Sequence, residues 1–319
     1  NAHLSDRLGE FDLVHDNQCL GYGIAKLEKK LPLIVTLHHP ITRDRMLEME
    51  AAPSRFKRWS IGRWYNFVKM QGKVAAQMPR VVVVSENSIQ DIHTDMGVDL
   101  DRMRLVPVGV DPSLFKPIEG VRQIPGRLIT TASADVALKG LAYLIEAMAK
   151  LRADGHDITL TIVGKPKPGK SMDLIDQYGL ATNIEFVSGV TDERIVELYS
   201  QAELAVVPSL YEGFSLPAIE AMCSGTPLVA TDGGALPEVT GTPGETVFRC
   251  RKGDADDLAN TIREALANPD ARARVGGAGR QRVLERWTWT RCAELTVEQY
   301  REVLAMPQNI EKLRRNGRL

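Results

Sequence analysis

Cysteine is scarce and scattered in this sequence. The chain of 319 residues has four cysteines, Cys19, Cys223, Cys250 and Cys292, and no two of them form a C-x-x-C pair. Cysteines this far apart argue against a disulfide framework and against a structural zinc site. They indicate a reducing compartment, so we expect a cytoplasmic protein.

Long apolar runs and an excess of charge are also lacking. No apolar run approaches ~18 residues, so the sequence predicts no membrane-spanning helix, and no signal peptide is visible. Lysine and arginine number 40 against 41 acidic residues. This balance gives the protein no overall positive electrostatic potential that would attract nucleic acid, and we expect no nucleic-acid partner. The length and the 44% apolar content suit two ordinary hydrophobic cores.

Short apolar strands alternate with helical stretches along the chain, which predicts β-α-β units and parallel sheets. In the first part, strands are expected at 11–15, 33–37, 81–84 and 104–108, with helices near 22–30, 55–78 and 86–96. In the second part, strands are expected at 127–131, 158–163, 184–187, 204–207, 227–230 and 246–249. The fold class is therefore α/β.

The chain is organised around residues 204–239. An apolar strand closes at Pro208, a glycine-bearing loop follows at 211–215, and a helix is predicted over 216–223 with Gly225 just past its end. A second strand then leads to Asp232-Gly233-Gly234. Both loops follow the carboxyl ends of strands, where open parallel sheets bind ligands.

Two glutamates flank a potential anion site in this stretch. Glu212 lies in the loop and Glu220 lies eight residues later in the helix. Between them, backbone amides at a helix start can hold a diphosphate, and carboxylates on either side can accept hydrogen bonds from sugar hydroxyls. The two glutamates alone are equally consistent with an ordinary turn carrying solvated acids.

Residues 212–238, EGFSLPAIEAMCSGTPLVATDGGALPE, resemble the E-x7-E segment of family-four retaining glycosyltransferases, which have the GT-B fold. The resemblance implies two Rossmann-like domains that face each other across a cleft. It implies that Glu212 contacts the transferred sugar and that Glu220 binds the nucleotide ribose. Sugar and diphosphate contacts are implied for the loop residues Gly213, Phe214, Ser215 and Leu216.

The implied reaction moves a hexosyl group from a nucleotide-diphosphate sugar to a hydroxyl of a glycan, lipid or small molecule, without a metal or cofactor. An acceptor-side domain is expected at 1–110, a linker at 111–126 and the nucleotide-sugar domain at 127–285. Residues 286–319 should form a helix that crosses back and a loose tail from Glu311. The family has earlier strands that this chain does not contain, so we expect an incomplete first domain.

Two further positions match the family. His38 follows the strand 33–37, where a family histidine faces the donor sugar, and His39 is the alternative. Lys139, in Lys139-Gly140, matches the phosphate clamp and should pair with the donor diphosphate. The family usually has an arginine ahead of it, and Ala134 stands there instead. Lys165 is a candidate substitute.

Residues 55–73 carry six basic residues, five aromatic residues and no acid. The segment could lie in an anionic membrane interface, as a peripheral contact at the inner face or with a lipid-linked acceptor. Alternatively, its aromatics pack on the first sheet while its basic residues face water. We favour the packing interpretation.

Competing functions remain open at this point. Residues 164–171, GKPKPGKS, fit the Walker A pattern of a P-loop NTPase, but Pro166 and Pro168 lack the amides that a phosphate cradle needs. The sequence is also compatible with a non-catalytic GT-B remnant and with a sugar-nucleotide epimerase. The D-x-D pairs at 99–101 and 254–256 are better explained as surface or capping acids than as metal ligands, and we expect no catalytic metal.

Overall fold

The computed structural model describes residue 4 and residues 6–18, 20–132 and 136–319. The chain divides into two compact units. Unit 1 contains the residues up to Pro107 together with Thr290–Leu319, and unit 2 is the continuous segment Val108–Trp289.

The strands, in chain order, are β1 Val14–Asn17, β2 Leu33–Leu37, β3 Val81–Val83, β4 Met103–Leu105, β5 Arg127–Thr131, β6 Thr159–Val163, β7 Ile184–Val187, β8 Leu204–Val207, β9 Leu228–Thr231 and β10 Phe248–Cys250. The α-helices are α1 Tyr22–Glu28, α2 Ile41–Glu50, α3 Arg55–Trp64, α4 Val68–Ala75, α5 Glu86–Met96, α6 Leu141–Ala153, α7 Lys170–Gln177, α8 Asp192–Gln201, α9 Leu216–Cys223, α10 Leu236–Thr240, α11 Ala255–Ala267, α12 Pro269–Arg286, α13 Trp289–Leu304 and α14 Pro307–Arg315.

Unit 1 is built on a parallel sheet in the order β1-β2-β3-β4. All five residues of β2 are buried, as expected for a strand covered on both faces. Leu33, Val35 and Leu37 belong to one core cluster. Ile34 joins a second cluster that includes Val303 of α13, so the alternation of side chains along β2 supplies both cores.

Unit 2 is built on a parallel sheet in the order β10-β9-β8-β5-β6-β7. Its main core joins the strands to α6, α7 and α11. Because β9, β8 and β5 are neighbours, the loops that follow them leave the same carboxyl edge of the sheet side by side.

The two ends of unit 2 pair with each other. Val110 and Thr288 form a parallel bridge, and the amide of Val110 donates to the carbonyl of Trp287 over 2.9 Å. Gly109 permits this approach, because a Cβ there would lie 2.2 Å from the carbonyl carbon of Thr288. The start and the finish of the unit are thus joined by backbone contacts.

The central strand-loop-helix prediction is confirmed. Strand β8 and helix α9 have the predicted bounds, and Gly225 adopts the left-handed conformation expected past a helix end, with φ of 75°. Other boundaries move by a few residues. Strand β1, for example, begins at Val14 rather than at residue 11.

Two predictions for unit 1 are wrong. Helix α3 buries no residue, and Phe56, Trp59 and Trp64 face water instead of packing on the sheet. The tail from Glu311 is not loose, because α14 runs to Arg315 and buries Leu313. Within the described residues, no helix combines the length and the apolar character required to cross a bilayer.

Candidate functional site

Three loops of unit 2 meet at the carboxyl edge of its sheet. The loop after β5 ends in a short 3-10 helix, Ala137–Lys139, and the carbonyl of Leu138 accepts a hydrogen bond from the amide of Leu210 over 2.8 Å. Gly140 allows this contact, since a Cβ there would lie 1.9 Å from the carbonyl oxygen of Pro208. The loop after β5 is therefore hydrogen-bonded to the loop after β8. This contact places Lys139 beside Glu212 of the second loop.

Glu212 is held by two donors. Lys139 Nζ lies 2.8 Å from Glu212 Oε1, and the hydroxyl of Ser209 donates to the same oxygen over 2.7 Å. The glutamate is 7% exposed, so the lysine supplies the positive charge that a nearly buried carboxylate requires. The structure thus brings together two of the predicted residues, and it adds Ser209.

The loop after β9 packs against the backbone of Glu212. The carbonyl of Glu212 accepts a hydrogen bond from the amide of Ala235 over 2.8 Å. A Cβ on Gly234 would lie 2.3 Å from that carbonyl oxygen, and a Cβ on Gly233 would lie 2.4 Å from the carbonyl oxygen of Ser209. Both glycines are required for the two loops to touch, so they fix the position of Glu212.

The start of α9 is strained. Ser215 has φ of 95°, a conformation that costs a non-glycine residue about 1–3 kcal/mol. Its hydroxyl oxygen is buried and has no hydrogen-bond partner in the described part of the chain. Pro217 takes one of the first helical positions, where its missing N–H costs no intrahelical bond. Strained backbone of this kind clusters at active sites and ligand clamps.

The other predicted loop residues differ in what they offer. The ring of Phe214 packs edge-on against Trp287, with ring centroids 5.4 Å apart, so this side chain holds the loop in place. Leu216 is 40% exposed at the helix start. Gly213 is partly exposed and has no side chain, so it could act only through its backbone.

Glu220 lies in the second turn of α9, and the pKa of its carboxyl is raised. Burial raises the pKa of its carboxyl to about 7, and the charge of Asp192 adds to the rise. The hydroxyl of Tyr199, which interacts electrostatically with Glu220, bonds Thr131 Oγ1 over 3.0 Å. A carboxyl that is only partly ionised near neutral pH is common at functional sites.

His38 belongs to unit 1, where it follows β2. Its Nε2 donates to Asn17 Oδ1 over 2.8 Å, and its amide donates to Gln18 Oε1 over 2.8 Å. Burial lowers the pKa of the imidazole, with His39 and His15 adding to the effect. The ring is therefore neutral near pH 7 and presents Nδ1 as an acceptor. His39 instead bonds Asp44 Oδ2 over 2.9 Å.

Sequence reasoning did not find Ser209 or Asn17. Each comes at or just past the end of a strand, and that position is the only sequence signal they carry. The missing arginine at Ala134 lies outside the described residues. Lys165 is exposed, and the described residues give it no hydrogen bond or ion pair.

The other motifs are used structurally. The amide of Gly164 donates to the carbonyl of Val187, and Lys170 Nζ lies 3.6 Å from Glu146 Oε1. The Walker-like segment therefore extends the pairing of β6 with β7 and leads into α7. Asp254 caps α11 by accepting from the amide of Asp257 over 2.9 Å. In the described ranges, no group of three or more His, Cys, Asp or Glu could hold a metal ion.

Two family profiles match the chain. The profile described as "Glycosyl transferases group 1" matches residues 124–282, and "Glycosyltransferase Family 4" matches residues 2–114. Together these profiles span most of the sequence.

Characterised relatives and solved structures resemble the chain over most of its length. It is 45% identical to an MMP alpha-(1->4)-mannosyltransferase of Mycolicibacterium hassiacum, over 95% of this chain and 73% of the relative. Sucrose-phosphate synthase from Thermosynechococcus elongatus superposes with a TM-score of 0.77 at 25% identity, over 95% of this chain and 76% of that one. Anabaena HepE, solved with UDP, gives a TM-score of 0.74 at 21% identity, over 94% of this chain and 81% of HepE.

The 45% identity extends over nearly the whole chain, and the sheets of both units are parallel. The chain therefore belongs to the group 1 glycosyltransferases, with the GT-B fold.

Proposed function

We propose that this glycosyltransferase transfers a hexosyl group from a nucleoside diphosphate sugar to an acceptor hydroxyl, with retention of anomeric configuration and without a metal. The observation that carries the proposal is the cluster in which Lys139 and Ser209 both bond Oε1 of Glu212. It lies next to the start of α9, whose amides favour an anion.

The donor would be held along the first turns of α9. Lys139 supplies positive charge to the diphosphate, and the amides and hydroxyl of residues 213–216 supply donors. Glu220, eight residues after Glu212, would accept hydrogen bonds from the ribose. The buried hydroxyl of Ser215 supports this arrangement, because a bound phosphate or sugar oxygen would provide the hydrogen-bond partner that it lacks.

The chemistry requires a stabilised leaving group more than a nucleophile. As the bond from the anomeric carbon to the diphosphate oxygen breaks, negative charge grows on the diphosphate, and Lys139 with the loop amides stabilises it. The acceptor oxygen bonds to the same face of the sugar, and its proton passes to the departing diphosphate. No protein nucleophile is needed for retention by this route.

Glu212 suits an orienting role in this reaction. A carboxylate whose Oε1 is bonded to an ammonium and a hydroxyl is a weak nucleophile, yet it still offers Oε2 to sugar hydroxyls. His38 is neutral, and its Nδ1 would accept a hydrogen bond from a sugar hydroxyl. Its bond to Asn17 fixes the tautomer needed for that contact.

The names of similar proteins suggest two donor classes to test. The Mycolicibacterium relative is named a mannosyltransferase, and Anabaena HepE was solved with UDP-glucose. We therefore propose a hexosyl nucleotide and would test mannosyl and glucosyl donors on UDP, GDP and ADP.

The test is a turnover assay of the whole chain with each donor, in magnesium and in EDTA, with nucleoside diphosphate release and the anomer of the product as readouts. We expect release with one donor, unchanged in EDTA, an α-linked product from an α-linked donor, and at least a 100-fold loss in Glu212→Gln. Glu245→Gln, at an exposed glutamate of the same unit, is the matched control.

Two outcomes would overturn the proposal. Donor binding without any release by the unaltered chain would indicate a non-catalytic remnant. Conversion of the donor to another sugar nucleotide without an acceptor would indicate an epimerase.

A further inference from the structure

The outer surface of α3 and the segment that follows it has an unusual composition. The basic-aromatic face, as we call it, consists of exposed residues Arg55, Phe56, Lys57, Trp59, Arg63, Trp64, Phe67, Lys69 and Lys73. Phe56 and Trp64 are each 76% exposed and Trp59 is 61% exposed. Leaving three such large apolar side chains in water on one helix is costly, so a covering partner is expected.

The rest of α3 is occupied by packing on α2. Arg58 Nε donates to the carbonyl of Met49 over 3.0 Å. Gly62 lies against the Met49 side chain, since a Cβ there would be 3.8 Å from Met49 Cε. At ~100° per residue, Phe56 and Arg63 point away from this packed stripe. The part of the basic-aromatic face that belongs to α3 is therefore the side that α2 does not cover.

The face is positively charged although the protein is not. No acidic residue occurs between Glu50 and Glu86, while the net charge of the whole chain is −1. Within the described residues, none of the basic side chains of the face forms an ion pair with an acid of this chain. Unpaired cations next to exposed aromatic rings match a surface that is both anionic and amphipathic.

The adjoining surface would also accept lipid headgroups. A groove of about 550 Å³ on α3 is lined by Arg55, Arg58 and Arg63 together with Trp59, Gly62 and, from α2, Met49. Three guanidinium groups beside a methionine and an indole can hold a phosphate while apolar atoms contact the adjoining acyl region.

We propose that the basic-aromatic face docks on a membrane containing anionic phospholipid. Trp59, Trp64 and Phe56 enter the interfacial layer, and the lysines and arginines contact phosphate groups. The sugar-transfer site lies elsewhere in the sequence, so this inference does not rest on the proposed reaction. Vesicle binding is measured without a donor, and its failure would leave the transfer assay unaffected.

The experiment is co-sedimentation of the whole chain with vesicles of pure phosphatidylcholine and of phosphatidylcholine with phosphatidylglycerol. We expect binding to the anionic vesicles only, weakened by salt. Lys57→Gln with Arg63→Gln should weaken binding about 30-fold, and Phe56→Ser with Trp64→Ser should abolish it. These positions are exposed, so the variants should fold, and circular dichroism would verify that they do.

Matched controls distinguish binding through this face from nonspecific effects of positive charge and of exposed aromatic residues. Arg301→Gln with Arg314→Gln removes two exposed arginines elsewhere in unit 1, and Tyr178→Ser removes an exposed aromatic residue. Both controls should bind like the parent. Equal binding to neutral and anionic vesicles, or equal loss in the controls, would overturn the proposal. A third result would also overturn it: the face variants bind vesicles like the parent but have a raised KM for a saccharide acceptor. The face would then be a contact for sugar rather than for lipid.

Discussion

Lys139 and Glu212 are 73 positions apart in sequence, and their side chains meet at 2.8 Å. The contact joins the loop after β5 to the loop after β8, so a cation and an anion from two different strand ends share one site. The lysine side chain is 26% exposed and that of the glutamate is 9% exposed. This asymmetry leaves the cation accessible to an incoming anion while the carboxylate stays fixed by Ser209.

Lys139→Met should reduce kcat by about 100-fold, because it removes charge stabilisation from the leaving group. The melting temperature should fall as well, because the carboxylate of Glu212, whose side chain is 9% exposed, loses its cation at a cost of about 2 kcal/mol. Lys150→Met, which breaks an exposed pair with Asp256, is the control. The double variant Lys139→Met with Glu212→Gln should lose less than the product of the single losses. Fully multiplicative losses would mean that the two groups act independently.

Gly234→Ala should destabilise unit 2 and abolish transfer. An alanine would face a left-handed φ of 60° and a Cβ only 2.3 Å from the carbonyl oxygen of Glu212. Gly244→Ala is the control, because Gly244 also has a left-handed φ, of 79°. Unlike at Gly234, no atom lies within 4 Å of a Cβ added there. This substitution should cost only the conformational penalty of about 1–2 kcal/mol. Urea unfolding and kcat would both be measured, and equal effects of the two variants would refute the close-contact explanation.

Stability should depend on the ionisation of Glu220. Its pKa of about 7 in the folded chain exceeds its value in the unfolded chain, so the folded state binds more protons between these values. Stability should therefore fall as pH rises from about 4.5 to about 7, by up to about 3 kcal/mol. Glu220→Gln should remove this part of the pH dependence in urea titrations. An unchanged slope in that variant would contradict the assignment.

The same ionisation should act on donor binding. A carboxylate accepts two ribose hydroxyl bonds better than a protonated carboxyl does, so affinity for the donor diphosphate should rise as pH increases through about 7. Asp192→Asn should shift this rise to lower pH, because it removes a charge that opposes ionisation of Glu220. Calorimetric titration from pH 5.5 to 8.5 would measure how donor affinity depends on pH in the parent and in Asp192→Asn. The same pH dependence in both proteins would contradict the prediction.

The segment after Met306 should be required for the stability of unit 1. Lys312 Nζ lies 2.7 Å from Glu28 Oε1 and 2.9 Å from Asn309 Oδ1, and the residue is 8% exposed. Lys312→Met should cost about 2 kcal/mol, because it leaves a largely buried carboxylate without its cation. Arg314→Met, at an exposed neighbour, should be nearly neutral. Thermal unfolding would compare the two, and similar melting temperatures would show that the ion pair is unimportant.

The sequence was informative where local patterns and tertiary structure agree. The apolar run at β8, the helical stretch of α9 and Gly225 past its end define one unit without help from distant residues. Parallel strands then require Lys139 and Glu212 to emerge at one edge. Their direct pairing and the second donor from Ser209 depend on loop conformation, which short-range patterns do not encode.

The errors have physical causes as well. Aromatic residues at helical spacing usually pack in a core, but α3 turns Gly62 and Arg58 inward and Phe56 outward. The basic tail looked unstructured because its acidic partners, Glu28 and Asp12, lie 284 and 306 positions earlier in the sequence. Pro307 at the first position of α14 was the local signal available for that helix.

The bridge between Val110 and Thr288 bears on the order in which the protein assembles during translation. Unit 2 is one continuous segment with its ends tied together, so it has all of its contacts once Trp289 has left the ribosome. Unit 1 begins to emerge first, yet α13 and α14 reach it only after the whole of unit 2 has been made. The part of unit 1 that precedes unit 2 is therefore completed only after unit 2, and until then the face of β2 and β3 that receives Val303 stays open to chaperones.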